Sequence, residues 1–198
     1  MTPQSVASLA LLPLVLLLLA AAWYDLKSRH IPNLLVFGGA FCGLVLNGLL
    51  PQGFGFNSVV PGGLGWWEAL LGLGMGLVVL LPFYWLRAMG AGDVKLMAMV
   101  GAFLGSWQVL GALLSTFLIG GVMALAIALR AGVMLRLLGN LKFMLLNGVV
   151  KVSTGQVPTI DDLPQSVGKL PYAVAIAFGT LSYMLWRRMG WMNAMGWW

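Results

Sequence analysis

The sequence predicts an all-α polytopic membrane protein with about six transmembrane helices and one additional helix that lies in the cytoplasmic interface. Of the 198 residues, 61% are hydrophobic and only 8% are charged, and the mean hydropathy is +0.96. A water-soluble domain carries far more charge, so this composition indicates a membrane protein. The 27 glycines suit helices that pack closely in lipid. We predict one membrane-embedded domain over residues 1–198.

Each predicted helix follows from an apolar run and from the residues that interrupt it. No Lys or Arg precedes the first run, which we therefore interpret as a retained span and not as a signal peptide. Pro32 suits the start of the second helix, where its missing N–H is not needed. The predicted spans are 5–24, 33–50, 66–86, the run from after GAGD to about Gly105, 108–129 and 171–186. Residues 131–151 mix apolar positions at helical spacing with charged and amide residues, which predicts an amphipathic helix in the interface.

The basic residues predict the orientation, because cytoplasmic loops collect Lys and Arg. With the N-terminus outside, nine of the eleven basic residues fall on the cytoplasmic side: Lys27, Arg29, Arg87, Lys95, Arg130, Arg136, Lys142, Lys151 and Lys169. Arg187 and Arg188 fall outside. The net charge of +6 is thus explained by membrane orientation, and we expect no nucleic-acid partner.

Two Asp-x-Lys sequences, at 25–27 and 93–95, stand out in a chain that has five acidic residues. Both border apolar runs on the predicted cytoplasmic side. The fourth span is short, because Lys95 to Gly105 is only 11 residues, whereas a span usually needs at least about 17. Asp93 is therefore expected at or below the lipid headgroups, where an ionisable residue is a functional candidate.

Two carboxylates brought together can share one proton. One then acts as a general base on water, and the other polarises the peptide carbonyl and protonates the leaving nitrogen. His30 is the only histidine and Cys42 the only cysteine, so a multi-histidine metal site and a CxxC module are excluded. We expect no metal and no cofactor. Ordinary roles also fit, with Asp25 in a solvated ion pair and Asp93 as a helix cap. Residue types alone leave open a protease and a small proton-coupled transporter that uses both aspartates as a relay.

The neighbours of the aspartates are candidates for a supporting role. Gly90 and Gly92 let the backbone pass close to a partner helix or a substrate. Asp93 would open the fourth span, where a helix N-terminus stabilises negative charge. Lys27 and Lys95 could hold the carboxylates ionised or anchor lipid phosphates, and they are also explained as topology signals.

Three sequences resemble the type IV prepilin peptidases, which are membrane aspartic proteases of the GxGD class: YDLKSRHIPN (24–33), GAGDVKLMA (90–98) and KLPYAVAIAFG (169–179). The resemblance covers most of the chain, and the first two motifs together are far more specific than GxGD alone. It implies that Asp25 and Asp93 are the catalytic pair. It implies a supporting role for Gly90, Gly92, Lys27, Lys95, Pro32 and Asn33. The implied substrates are prepilins or pseudopilins, whose short basic leader is cut at the cytoplasmic face of the bacterial inner membrane.

The chain also departs from the long members of that family. Those carry an N-terminal cytoplasmic region with paired cysteines and also methylate the new N-terminus. This chain has no such cysteines and resembles the short members that serve tight-adherence (Flp-type) pili, so we do not expect methyltransferase activity. We hypothesise that 131–151 lies near the site and helps to dock the substrate leader. A non-catalytic pilus assembly factor with the same fold is a further alternative.

Overall fold

The computed structural model describes residues 3–58, 62–132, 139 and 171–190, and these residues form a bundle of helices. The helices are α1 Pro3–Ser28, α2 Asn33–Leu49, α3 Trp66–Trp85, α4 Ala91–Leu104, α5 Ser106–Arg130 and α6 Tyr172–Arg188. Within the described part of the chain there is no strand, only an isolated bridge between Gln52 and Gly63. The predicted all-α fold and the six predicted spans are confirmed as helices.

Three of these helices are long and apolar enough to cross a membrane: Leu9–Ser28, Trp66–Trp85 and Ser106–Arg130. The apolar helix Asn33–Leu49 is shorter. Leucine and aromatic side chains on the outer surface of the bundle are widely exposed, as in Leu34 and Phe41. An outer surface of this kind is suited to lipid, so the chain is a polytopic membrane protein.

The end of α1 differs from its predicted position, and the difference changes where Asp25 lies. The apolar run predicts an end at residue 24, but the helix continues to Ser28. Hydrogen bonds continue the helix past the last apolar residue, and the N–H of Arg29 still donates to the carbonyl of Asp25 at 3.0 Å. Asp25 therefore lies on a helix and not in the loop that follows it.

Helix α4 lies at the centre of the bundle, and glycines let its neighbours pack closely against it. Every residue from Leu96 to Leu104 is buried. Gly39 of α2 has no room for a Cβ, because the Met99 side chain of α4 occupies that space. Gly72 of α3 and Gly101 of α4 contact each other, so that a Cβ on either would collide with the carbonyl of the other. The close helix packing expected from the glycine content is thus present in the described residues.

The antiparallel order of the helices gives the bundle two distinct ends. The aspartate end, as we call it, contains the last turn of α1 and the first turns of α2, α4 and α6. The opposite end contains the turns into α3 and α5, where the backbone N–H and the hydroxyl of Ser106 both donate to the Glu68 carboxylate. Glu68 thus caps α5 far from the aspartate end.

Buried Asn47 fixes the opposite end of the bundle by hydrogen bonds. Its amide donates to the carbonyls of Ala102 at 2.9 Å and Phe103 at 3.1 Å, and its oxygen accepts from the N–H of Leu64 at 3.0 Å. These contacts join α2 to the end of α4 and to the turn before α3. Of the predicted interfacial helix 131–151, residues 133–138 and 140–151 lie outside the described residues.

Candidate active site

Asp25 lies on the last turns of α1 and is directed to the start of α6. Its side chain is only 9% exposed. Its Oδ2 accepts a hydrogen bond of 3.2 Å from the backbone N–H of Ala173, which is the second residue of α6 and lies 148 positions away. The first N–H groups of a helix have no partner within it, and the helix dipole favours negative charge there. The start of α6 therefore binds and orients the Asp25 carboxylate.

Helix α1 ends at Ser28, three residues after Asp25. Arg29 adopts a left-handed conformation with φ of 53°, a conformation that commonly ends a helix. The Ser28 hydroxyl donates to the carbonyl of Tyr24 at 2.9 Å and contacts the carbonyl of His30 at 3.2 Å. This turn directs the following Ile-Pro-Asn sequence back toward the bundle.

Asp93 lies in the first turn of α4. Its Oδ2 accepts the N–H of Gly90 at 3.1 Å, and its own N–H donates to the Gly90 carbonyl at 3.1 Å. The reciprocal pair caps α4, as an acidic side chain at the third helical position commonly does. A Cβ on Gly90 would lie 3.3 Å from Oδ2 of Asp93, so a glycine lets the carboxylate approach this backbone closely.

The two sequence motifs interlock residue by residue. Ile31, which is 6% exposed, packs on Gly92, where an added Cβ would stand 3.3 Å from its Cδ1. Lys95 Nζ donates to Oδ1 of Asn33 at 3.1 Å and lies 5.3 Å from the centre of the Phe37 ring. The loop after α1 and the first turns of α2 are therefore fixed to the start of α4.

The remaining supporting residues have simpler positions. Pro32 precedes α2 in an extended conformation, and its carbonyl accepts the N–H groups of Leu35 and Val36. It thus begins α2, as predicted. Lys27 lies in the last turn of α1 and is exposed. Lys95 contacts Asn33, so the structure gives it a role that the sequence interpretation did not include.

The last turns of α1 and the first turns of α4 and α6 bring Asp25, Asp93 and the start of α6 to the same end of the bundle. Two carboxylates that come close enough to interact can hold a single proton between them. Such a pair can perform acid and base chemistry. Within the described ranges, no three His, Cys, Asp or Glu side chains form a group that could hold a metal ion.

Sequence reasoning did not assign Tyr172 and Ala173 to the site. The sequence KLPYAVAIAFG is a signal that could have found them, since it resembles a family segment, but nothing in the sequence relates it to Asp25. The contact joins residues on opposite halves of the chain, and a hydrogen bond from a backbone N–H has no residue-type signature.

Fold and site together define a polytopic all-α membrane protein with two carboxylates at one end of the bundle. Comparison with known families gives the class a name. The chain belongs to the type IV leader peptidase family, whose model matches residues 12–125. The matched range includes both aspartates and α1 to most of α5, and it ends before α6.

Two curated relatives agree with this assignment. The chain is 36% identical over 113 residues to a prepilin leader peptidase/N-methyltransferase of Pseudomonas putida, a match that covers 54% of this chain and 35% of that protein. It is 35% identical over 100 residues to a protein of the same description from Stutzerimonas stutzeri, covering 47% and 30%. The chain thus spans about a third of the length of these relatives. No solved structure is a significant match.

Proposed function

We propose that this chain is a membrane aspartic endopeptidase that removes the short basic leader of type IV prepilins or pseudopilins. Asp25 and Asp93 are the proposed catalytic residues, and they act on a water molecule and on the scissile peptide bond. The leader would be cut at the cytoplasmic face of the bacterial inner membrane. Flp-type pilins of tight-adherence systems are the proposed substrate class within that family.

One observation carries the proposal. Asp25 and Asp93 are 68 positions apart in sequence, yet both lie at the same end of the bundle, in the last turns of α1 and the first turn of α4. Each is oriented by a backbone N–H, from Ala173 and Gly90 respectively. Two carboxylates fixed at one end of a bundle are what a water-activating aspartic peptidase would use.

The proposed reaction uses the two carboxylates in different protonation states. The ionised carboxylate takes a proton from water, and the hydroxide attacks the peptide carbonyl carbon. The protonated carboxyl polarises the carbonyl oxygen and later gives its proton to the leaving nitrogen. Hydrolysis then yields a leader with a free carboxyl group and a mature pilin with a free amino group.

The orientation of the proposed enzyme follows from its basic residues. Lys27, Arg29, Arg87 and Lys95 all lie at the aspartate end of the bundle. Because basic residues collect on the cytoplasmic side, this end would face the cytoplasm and the N-terminus would lie outside. A prepilin whose apolar helix is in the membrane presents its leader on that same side.

The test is cleavage of a co-expressed prepilin in membranes by wild type, Asp25→Asn and Asp93→Asn at matched expression. Asparagine keeps the shape and accepts the same N–H but cannot transfer the proton. Each single change is expected to lower cleavage by about 10²–10⁴-fold, the usual contribution of an acid or base.

Glu68→Gln is the matched control. It neutralises a carboxylate at the opposite end and keeps the oxygen that Ser106 binds. It should cleave at the wild-type rate. If Asp25→Asn or Asp93→Asn also cleaves near the wild-type rate, that aspartate is structural. A transporter or an assembly factor would then be the better interpretation.

A further inference from the structure

The start of α6 contacts the candidate active site although it lies far away in sequence. Ala173 is fully buried, and its N–H donates to Oδ2 of Asp25 at 3.2 Å. This N–H is not needed by the helix, since the first donors of a helix have no partner within it. The next donor, the N–H of Val174, instead bonds to the Pro171 carbonyl at 3.1 Å. The N–H of Ala173 therefore binds Asp25, whereas the N–H of Val174 bonds within the first turn of α6.

The residue before Ala173 fixes the start of α6 in the bundle. Tyr172 is partly buried and packs against the hydrophobic core. This packing holds the Ala173 N–H in place against Asp25. Residue 173 lies outside the range matched by the family model, 12–125, although it touches a carboxylate inside that range.

We propose that the backbone N–H of Ala173 is a positioning group for Asp25, and that the start of α6 is therefore a third part of the active site. This inference rests on the proposed function. The N–H orients the carboxylate, because a backbone donor held by the helix fixes the direction in which the acceptor oxygen lies. Asp25 is 9% exposed, so water replaces this donor poorly.

The consequence is a measurable change in turnover. Loss of the donor removes the contact that orients the Asp25 carboxylate and leaves every side chain of the site unchanged. The turnover number kcat should therefore fall while KM stays the same. A hydrogen bond to a charged group corresponds to about a tenfold change or more.

The experiment replaces the amide at position 173 by an ester. Nonsense suppression with lactic acid at 173 removes the N–H and leaves the side chain unchanged. The matched control is an ester at 174, made with α-hydroxyisovaleric acid, which removes the helical hydrogen bond to Pro171 instead. Both proteins are reconstituted in liposomes with a prepilin, and kcat and KM per folded molecule are measured beside wild type, Asp25→Asn and Asp93→Asn.

We expect the ester at 173 to lower kcat about tenfold and to leave KM unchanged. The ester at 174 should leave both constants in place. An unchanged kcat at 173 overturns the inference, and so does an equal fall of kcat in both esters. A rise of KM at 173 that accounts for the whole loss of rate overturns it too, because the N–H would then act in substrate binding.

A genetic variant gives a second test. Ala173→Pro removes the same N–H, and its kcat must also fall, while an unchanged kcat contradicts the inference. The inference and the proposed function fail in different ways. Active esters with inactive Asp25→Asn and Asp93→Asn leave the proposed function standing and remove the inference. Cleavage by the two asparagine variants removes the proposed function, and the inference falls with it.

Discussion

Removal of the Lys95 amino group should weaken the attachment of α2 to α4 by an amount that the contacts define. Lys95→Met keeps the length of the side chain but removes two contacts, the hydrogen bond to Asn33 at 3.1 Å and the approach to the Phe37 ring at 5.3 Å. An intramolecular hydrogen bond is worth about 0.5–1.5 kcal/mol net, and a cation–π contact at an exposed site about 0.5–1 kcal/mol. The free energy of unfolding should fall by about 1–2.5 kcal/mol.

A double-mutant cycle isolates the hydrogen bond within that total. Asn33→Ala alone should cost about 0.5–1.5 kcal/mol. In the pair Lys95→Met and Asn33→Ala, the hydrogen bond is lost only once, so the coupling energy should be about 1 kcal/mol. The assay is reversible unfolding of the purified protein in mixed micelles by a titrated denaturing detergent.

Lys27→Met is the matched control, since Lys27 is an exposed lysine at the same end of the bundle. It removes the same charge from the same region and should change the free energy of unfolding by less than about 0.5 kcal/mol. Coupling energy below about 0.3 kcal/mol between Lys95 and Asn33 would mean that the two sites are independent. The hydrogen bond between Lys95 and Asn33 would then contribute nothing to the free energy of unfolding.

Two further predictions concern packing. Gly101→Ala places a methyl group against the Gly72 carbonyl, and it should destabilise the bundle by about 1–3 kcal/mol in the same assay. Gly74→Ala is the control: its methyl group meets open space, so it should be neutral or stabilising. Asn47→Leu leaves the Leu64 N–H and three buried carbonyl contacts without their partner, and it should cost at least about 2 kcal/mol; a smaller loss would mean that other groups satisfy them.

The six helices of the described residues and their approximate bounds could be predicted because lipid imposes a strong rule. A segment in lipid must satisfy its own backbone, so each long apolar run becomes a helix. The glycine content predicted close packing, because only small residues let helix backbones meet, as Gly72 and Gly101 do. The end of α1 was placed a turn too early, since hydropathy reports the apolar run while the helix continues with polar residues to Ser28.

The positions of the two aspartates at one end could also be predicted, from charge counting. The hydrogen-bond partners of the two aspartates could not be predicted. The sequence suggested that each lysine stabilises its neighbouring carboxylate, but residues two apart on a helix do not face each other. Asp93 and Lys95 both lie in α4, so Lys95 reaches Asn33 while Asp93 bonds Gly90. That α1 extends to Ser28 gives Asp25 and Lys27 the same relation.

The length of α4 gives the site its relation to water. Helix α4 has 14 residues and α5 has 25, and the two begin at a shared turn around Gly105. At about 1.5 Å per residue, α4 extends about 21 Å from that turn and α5 about 37 Å. The hydrocarbon core is about 30 Å thick, so α4 alone is too short to cross it. This length agrees with the expectation that Asp93, in the first turn of α4, lies at or below the lipid headgroups. A carboxylate at that depth would lie beside the end of a substrate's membrane helix, which is the position that the proposed hydrolysis requires.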